Sequence, residues 1–289
     1  MLKTIVDVHC HVVGNEKMMS EELRAIFAKM LPWDCGMPTP EALIEQLDKA
    51  GVQYAVLQAY DIKEVGLDIP NEFVAETLRK YPDRFICGYA STNPIRRGIE
   101  SSISMLKEAY GMGLRGLKLH PVAMQLVPND RELYPLYKKC IEYNIPVGFH
   151  IQPAPIPGTR LKFCNIVPID ELAHDLPELK IQICHFGKYP MPPDVFDLMC
   201  CLMSKKNVYT DTSAPMPMTK EGILNTLHWI KQLHLVDKSM FGTDFPVQPQ
   251  SWWVECIEKV DFTEEEKAKI MCNNALKFVG REDLLQGGN

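Results

Sequence analysis

The stretch Leu2-Lys-Thr-Ile-Val-Asp-Val-His-Cys-His11 joins an apolar run to two histidines that are two residues apart. A short apolar run of this kind predicts a β-strand. Because side chains alternate between the two faces of a strand, we expect Asp7, His9 and His11 on one face and the two residues between them on the other. Two imidazoles on one face can chelate a metal ion, although an isolated pair also arises by chance. The rest of the chain must therefore supply further ligands.

The size and charge of the chain limit what it can be. Its 289 residues suffice for a large core, and an α/β barrel of about 250 residues commonly forms one domain. The net charge is −6 and the basic residues do not cluster, so we expect no nucleic-acid partner. The first apolar run is too short for a signal peptide, and no stretch approaches the roughly 20 apolar residues of a membrane span. We expect a cytoplasmic protein without membrane contact.

The cysteines do not indicate a disulfide framework. Ten cysteines occur at irregular spacings, and none of them forms a Cys-x-x-Cys motif. This pattern is typical of reduced, buried thiols in a reducing compartment, and it disfavours a zinc site made of thiolates.

Strand-like and helix-like patterns alternate along the chain. After the first strand, strands are predicted at 52–58, 85–90, 114–120, 145–150, 180–185, 207–211 and 239–244, and helices at 40–50, 71–81, 96–110, 131–143, 169–176, 194–204, 220–233 and 263–279. Such alternation requires a parallel sheet with helices outside it. Eight repeats predict a closed, single-domain (β/α)8 TIM barrel over residues 1–289, with the active site at the C-terminal ends of the strands. No glycine-rich phosphate motif follows the first strand, so a dinucleotide-binding fold is disfavoured.

The segment 16–38 interrupts this alternation. It is rich in methionine, contains a predicted helix at 21–30, and continues into a Pro/Gly-rich loop. It is long for a connection between a strand and a helix, which predicts a lid or an oligomer contact. A satellite hydrophobic cluster would explain the same composition.

Polar side chains stand at the C-terminal ends of most of the predicted strands. The set comprises His9, His11, Lys118, His120, His150, His185, Asp211 and Asp244. In a barrel these ends meet at one mouth, where barrel enzymes place their chemistry. Burying so many polar groups without partners would cost about 1–3 kcal/mol each, so a bound metal ion is the simplest explanation.

With these motifs assembled, the sequence resembles the amidohydrolase superfamily, and within it the amidohydrolase-related branch of metal-dependent hydrolases and decarboxylases. The resemblance covers nearly the whole chain. Its motifs are His-x-His at 9–11, Gly-Leu-Lys-Leu-His-Pro at 116–121, His150, His-Phe-Gly at 185–187, Thr-Asp-Thr-Ser at 210–213, Gly-Thr-Asp-Phe-Pro at 242–246 and Asn-Ala-x-Lys at 274–277. Their order and spacing are far more specific than any single motif.

The resemblance implies a ligand set for one divalent ion. His9, His11, His150 and Asp244 would be ligands, and His185 would be a further ligand or would hydrogen-bond the metal-bound water. Ligands of nitrogen and oxygen fit zinc, which we favour, with manganese second. The ion would activate a water molecule, and Asp244, assisted by His185, would act as the catalytic residue that takes its proton.

The resemblance also suggests roles for other polar residues. In two-metal relatives a lysine at the place of Lys118 is carbamylated and bridges the ions; with one ion, which we favour, Lys118 would be an amine or a substrate anchor. His120, Arg160 and Lys188 are candidate substrate-binding residues. A histidine hydrogen-bonded beneath Pro121, or solvated loop charges, would explain these three equally well.

Six further residues carry weaker expectations. We expect Asp211 to orient a neighbouring ligand or a backbone amide, and Asn274 to tie the last helix to the barrel. Trp252-Trp253, Met216 and Met218 could line an apolar pocket, or could simply pack.

These inferences predict a metal-dependent hydrolase acting on an ester, lactone or amide of a small, carboxylated organic molecule. The first alternative is a non-oxidative decarboxylase of an aromatic or unsaturated carboxylic acid, because this branch uses nearly the same ligands for both reactions. The chain is shorter than is usual for those decarboxylases, which favours hydrolysis. The second alternative is a non-catalytic ligand-binding barrel. A homo-oligomer is possible, but the sequence does not identify the oligomeric state or the substrate.

Overall fold

Eight parallel strands form the barrel. The computed structural model describes residues 4–31, 33–34, 36–187 and 193–285. Its strands are β1 Val6–Cys10, β2 Tyr54–Gln58, β3 Tyr60–Ile62, β4 Leu67–Ile69, β5 Phe85–Ser91, β6 Leu117–Leu119, β7 Val147–Phe149, β8 Ile181–Ile183, β9 Val208–Asp211 and β10 Ser239–Met240. All but β3 and β4 join one sheet in the order β1-β2-β5-β6-β7-β8-β9-β10.

The first strand and the segment after the last strand close the ring. The amide of Val8 donates to the carbonyl of Phe241 at 3.0 Å, and the amide of His11 donates to the carbonyl of Phe245 at 2.8 Å. The predicted (β/α)8 barrel is therefore confirmed.

Helices surround the sheet. They are α1 Glu21–Met30, α2 Pro40–Ala50, α3 Asn71–Lys80, α4 Pro94–Arg97, α5 Ile99–Gly111, α6 Pro121–Met124, α7 Tyr134–Glu142, α8 Val167–Asp175, α9 Asp194–Ser204, α10 Lys220–Gln232, α11 Gln250–Ile257, α12 Glu264–Ala268 and α13 Asn274–Val279. Residues Lys269–Asn273 form a π-helical turn between α12 and α13. Within the described residues, no helix is both long enough and apolar enough to pass through a lipid bilayer.

Local sequence sets several helix ends. Thr39 caps α2, Pro40 occupies its first turn, and Gly51 ends it in a left-handed conformation with φ of 69°. The predicted helix 96–110 is instead two helices, because Gly98 between α4 and α5 has φ of 78°. At the C-terminal end, Asn274 donates to the carbonyls of Val236 and Ser239, which confirms that it ties the last helix to the barrel.

The sequence did not predict strands β3 and β4, the short helix α6 or helix α11. Strands β3 and β4 form an antiparallel hairpin at the mouth of the barrel, turned by Gly66. Helix α11 follows the last strand and contains Trp253, which is buried against Phe241. Trp253 therefore packs in the core and does not line a pocket.

A β-bulge in β1 corrects the expected alternation. Asp7 pairs with Ala55, and Cys10 pairs with Leu57. Between these two pairs β1 contains one residue more than β2, which is a β-bulge. As a result Val8 joins the buried cluster that contains Tyr89 and Met240. Asp7 instead accepts a hydrogen bond from Gln250 of α11 at 3.0 Å, so the expectation that Asp7 shares the face of His9 and His11 is wrong. The amide of Gln250 also contacts Cys10, as expected for a residue packed between barrel and helices.

Candidate metal centre

Two polar residues of the barrel mouth have unusual backbones. His185 has φ of 65° and Asp244 has φ of 56°, in the left-handed region that residues other than glycine rarely adopt. Each lies beyond the end of its strand, in the turn that follows β8 and in the segment that follows β10. Such conformations are concentrated at functional sites, where the surrounding structure holds them in place.

Three ligand atoms converge at this mouth. His9 Nε2 lies 3.1 Å from His11 Nε2, and Asp244 Oδ1 lies 3.4 Å from the former and 3.2 Å from the latter. All three residues are buried, and the side chain of Asp244 keeps 12% of its surface exposed. The predicted ligands His9, His11 and Asp244 are thus brought together.

The outer nitrogens of the two histidines determine their tautomers. His11 Nδ1 lies 2.8 Å from the carbonyl oxygen of Gln58, and His9 Nδ1 lies 3.0 Å from Asp211 Oδ2. Because carbonyl and carboxylate oxygens only accept, both Nδ1 atoms are donors. In the neutral rings both Nε2 atoms then carry lone pairs, which is the arrangement found in histidines that ligate metals.

Three electron-pair donors facing one point require a positive charge there. Burial and Lys118 lower the pKa of His9, but the carboxylates of Asp211 and Asp244 outweigh them and raise it to about 10. Lys118 Nζ, 3.0 Å from His9 Nε2, is one donor to this point; a proton on His9 is a second way to supply the charge, and a divalent cation is a third. The residues at this point therefore fit a metal ion.

The pKa shifts of the neighbouring groups favour their metal-binding forms. Burial lowers the pKa of His11 to about 4 and that of His185 to about 3, so both rings are neutral near pH 7. Burial alone would raise the pKa of Asp244, but the charge of His9 holds it well below its usual range. Neutral imidazoles and an ionised carboxylate are the forms that bind metals.

Asp211 and Ser213 form the support beneath the histidines. The carboxylate of Asp211 accepts from His9 Nδ1, from Gln182 Nε2 at 2.6 Å, and from the backbone amide of His185 at 3.0 Å. This confirms the orienting role expected for Asp211. The hydroxyl of Ser213 lies 2.5 Å from Asp211 Oδ1, 3.0 Å from His9 Nδ1 and 2.9 Å from His185 Nδ1.

A count of protons assigns the tautomer of His185. The hydroxyl of Ser213 has one proton, and the carboxylate of Asp211 can only accept it. The hydroxyl must then accept from His185 Nδ1, which leaves the lone pair of His185 on Nε2.

His150 faces the lone pair on His185 Nε2. Its Nε2 lies 3.0 Å from the carbonyl oxygen of Gln152 and must donate to it, so its own lone pair is on Nδ1. The two lone pairs face each other across 2.6 Å, between His150 Nδ1 and His185 Nε2. This contact also demands a shared proton or a metal ion. His150 does not join the group formed by His9, His11 and Asp244, so its role as a ligand of that same ion stays a prediction.

Lys118 lies beneath the centre and is completely buried. Its Nζ is 3.0 Å from His9 Nε2 and donates to the sulfur of Cys184, also at 3.0 Å. The single ion, with Lys118 as an unmodified amine, stays a prediction, and a carbamylated Lys118 with a second ion stays the alternative. Lys118 does not line the cavity above the centre.

The other three proposed substrate-binding residues, besides Lys118, fall in different places. The ring of His120 stacks on that of His150 with centroids 3.8 Å apart, and both line the cavity. Arg160 is exposed and does not line the cavity. Lys188 lies outside the described residues.

An apolar cavity opens above the centre, with about 80 Å³ of water-accessible space. The segment 16–38 contributes Met19, Phe27, Met30 and Leu31, and the hairpin contributes Tyr60, Ile62, Leu67 and Ile69. Pro153–Ile156, Met218 and Val247 complete most of the wall, whereas the exposed Met216 takes no part. Tyr60 also stacks on the ring of His11 with centroids 4.1 Å apart. The segment 16–38 thus covers the centre, although its action as a moving lid stays a prediction.

Sequence reasoning missed Ser213, Gln182 and Tyr60. Ser213 stood inside the motif Thr-Asp-Thr-Ser, so its proximity to Asp211 was a usable signal. Nothing local distinguishes Gln182 or Tyr60, since their importance comes from contacts with residues on other strands.

Comparison with known proteins gives two findings. A family model described as amidohydrolase matches residues 6–281. An uncharacterized TIM-barrel protein from Bordetella bronchiseptica is similar in structure, with a TM-score of 0.80, 21% sequence identity, and coverage of 97% of this chain and 99% of that one.

Two other solved structures share the fold at lower identity. A probable 2-pyrone-4,6-dicarboxylic acid hydrolase from Acinetobacter baumannii, with citric acid bound, has a TM-score of 0.67 and 17% identity, and the match covers 96% of this chain and 99% of that one. A 5-carboxyvanillate decarboxylase from Novosphingobium aromaticivorans, complexed with manganese, has a TM-score of 0.63 and 16% identity, with 96% of both chains covered.

Proposed function

The chain belongs to the amidohydrolase family, and on that premise we propose that it is a metal-dependent hydrolase that cleaves an ester, lactone or amide of a small organic molecule. The observation that carries the proposal is the convergence of His9 Nε2, His11 Nε2 and Asp244 Oδ1 within 3.4 Å of one another at the floor of a cavity. Two imidazole nitrogens and a carboxylate oxygen beside a cavity are the ligand atoms and the space that water activation by a bound ion requires.

The metal would be held by His9, His11 and Asp244, with His150 and His185 as further candidates. Zinc is the ion we favour and manganese the second choice, with one ion per chain. When bound, it would polarise the scissile carbonyl and lower the pKa of a water molecule toward about 7.

We propose that Asp244 moves the proton. Its Oδ1 faces the two histidines of β1, whereas its Oδ2 is 4.0 Å from His185 Nδ1. Because its pKa is held low, the carboxylate is ionised and can accept a proton from the attacking water. It would then return that proton to the leaving alcohol or amine.

We propose that His120 orients the substrate. Its Nδ1 accepts from the amide of Ala123 at 3.2 Å, and burial keeps its pKa well below the ordinary value. The single proton of the neutral ring is therefore on Nε2. Since His120 lines the cavity, that N–H can donate to the carbonyl oxygen of a substrate.

The decarboxylase remains a second candidate because an apolar cavity also suits the loss of carbon dioxide from a desolvated carboxylate. In that reaction Asp244 or His185 would have to deliver a proton to carbon. The low pKa of Asp244 favours the form that accepts a proton, which supports hydrolysis.

One experiment tests both candidates. Metal-loaded protein is offered lactones, amides and aromatic carboxylic acids, and both carboxylic acid products and carbon dioxide are measured. We expect hydrolysis, lost in His9→Ala and retained in His228→Ala, which removes an exposed histidine of α10. Carbon dioxide release alone would establish the decarboxylase, and full activity of His9→Ala, or absence of bound metal, would reject a metal-dependent enzyme and leave the binding barrel.

A further inference from the structure

We infer that the substrate carries no charge apart from the group that reacts at the metal centre, and that the rest of it is an apolar ring or short chain, which departs from the carboxylated substrate expected from the sequence. This inference rests on the proposed function for the position of the reacting group. It concerns the wall of the cavity, which neither the metal ligands nor the general base determine.

Polar groups are confined to one end of the cavity. His11, His120, His150, Gln152 and Asp244 lie together around the metal centre. Everything above them is aliphatic, aromatic or proline, drawn from the segment 16–38, the hairpin and the loop after β7. A substrate that enters must place its one polar group at the floor and its remainder against hydrocarbon.

No lysine or arginine lines this cavity among the residues that the structure describes. The nearby cations already have partners: Lys118 lies under the floor against His9 and Cys184, and Arg96 and Arg97 hold Asp61. A second carboxylate on the substrate would be removed from water without a counter-charge, which is strongly unfavourable.

Apart from Asp244 at the floor, the charged side chains that line these spaces in the described part of the chain lie on the far side of the wall. A larger space of about 590 Å³ adjoins the cavity and shares Val13, Phe27 and Leu31 with it. Arg24 and Asp34 line this outer space and not the inner one. The shared residues, among them Phe27 and Leu31, thus stand between an outer space with charged lining and the apolar cavity.

The binding of two inhibitors tests whether the cavity wall excludes a second charge, and the test needs no catalytic turnover. 4-Methylbenzoate and terephthalate both offer one carboxylate to the metal and differ only at the opposite end, by a methyl group or a second carboxylate. For zinc-loaded protein we expect calorimetry to show binding of 4-methylbenzoate at least about 100-fold tighter, because desolvation of an unpaired carboxylate is not compensated. Equal affinity, tighter binding of terephthalate, or binding of neither compound overturns the inference.

Two variants locate the effect in the wall. Met30→Lys places a cation on a half-buried wall position, and Met203→Lys makes the same change on the exposed face of α9. We expect the former to tighten terephthalate binding at least about tenfold and the latter to leave it unchanged, since only the former provides a buried counter-charge. A preference for terephthalate that Lys188→Ala removes would instead identify Lys188 as an anchor and refute the inference.

Turnover separates this inference from the proposed function. 4-Methylphenyl acetate and 4-acetoxybenzoate form the matching ester pair. Preference for the uncharged ester supports both proposals, and preference for the charged ester refutes the inference while leaving the hydrolase intact. If neither ester reacts but the inhibitor pair is discriminated as expected, the hydrolase fails and the inference stands.

Discussion

Ser213 offers a sharp test of the proton count in the metal centre. Its hydroxyl donates to Asp211 and accepts from His185 Nδ1, which places the His185 lone pair on Nε2. In Ser213→Ala this acceptor is lost. The lone pair of His150 Nδ1, 2.6 Å from His185 Nε2, is then the best remaining partner for the ring proton. We therefore expect the proton of His185 to move from Nδ1 to Nε2.

The expected loss of stability in Ser213→Ala follows from the hydrogen bonds that the variant keeps. Asp211 keeps its bonds from His9, Gln182 and the amide of His185, and the new tautomer of His185 satisfies His150. The loss is then close to one hydrogen bond to a charged acceptor, or about 1.5–3 kcal/mol of unfolding free energy. Metal affinity should fall about 10- to 100-fold, as is typical when a partner that orients a ligand is removed.

Nitrogen-15 NMR of the metal-free protein is the assay, because a protonated ring nitrogen and one with a lone pair differ strongly in chemical shift. The control is Thr212→Val, which removes a buried hydroxyl that contacts only Gly242. It should lower stability without moving the His185 proton, and Ser213→Thr should restore the original tautomer. An unchanged His185 tautomer in Ser213→Ala would refute the proton count on which the lone pairs at this centre depend.

Three further predictions address catalysis, stability and metal binding. Asp244→Asn should lower kcat at least about 100-fold by removing the general base, whereas Asp237→Asn, an exposed change, should not. Burial would raise the pKa of Asp61, but its ion pairs with Arg97 and Arg96 lower it below the ordinary value. Its carboxylate therefore stabilises the fold above about pH 4 and loses that contribution as the pH falls through the folded-state pKa. Asp61→Asn should lower the unfolding free energy by about 1–3 kcal/mol at pH 7. Denaturant titrations should show that the difference in stability between Asp61→Asn and the wild type becomes smaller in acid. Protein held at a free zinc concentration of 100 Kd should be more stable than the metal-free protein by about 2.7 kcal/mol of unfolding free energy. Calorimetry should show this loss when a chelator removes the zinc, and addition of zinc should restore the stability.

The barrel could be predicted because each strand is a short apolar run followed by a helical pattern. The polar residue that ends each run was therefore visible too, as with His150 after β7 and Asp211 at the end of β9. What periodicity cannot predict is a change in register. The bulge in β1 depends on how that strand pairs with β2, so the position of Asp7 was wrong.

The hydrogen bonds that orient the metal-site histidines could not be predicted either, because they join residues that are far apart in the sequence. Ser213 is 204 residues from His9, and their contact exists only once the barrel has closed. The hairpin of β3 and β4 was missed because each strand has three residues, too few for alternation to be recognised.

The left-handed backbones of His185 and Asp244 show that the centre and the barrel rim stabilise each other. A left-handed conformation costs a residue with a side chain roughly 1–2 kcal/mol. At both positions a hydrogen bond from the centre offsets it, because the amide of His185 donates to Asp211 Oδ1 at 3.0 Å and the amide of Asp244 donates to the carbonyl of His9 at 2.8 Å. The groups that orient the histidines thus also hold the turns that carry the catalytic carboxylate and its neighbour. A change in Asp211 must therefore disturb both metal affinity and the geometry of the rim, whereas a change in the apolar wall can alter substrate choice alone.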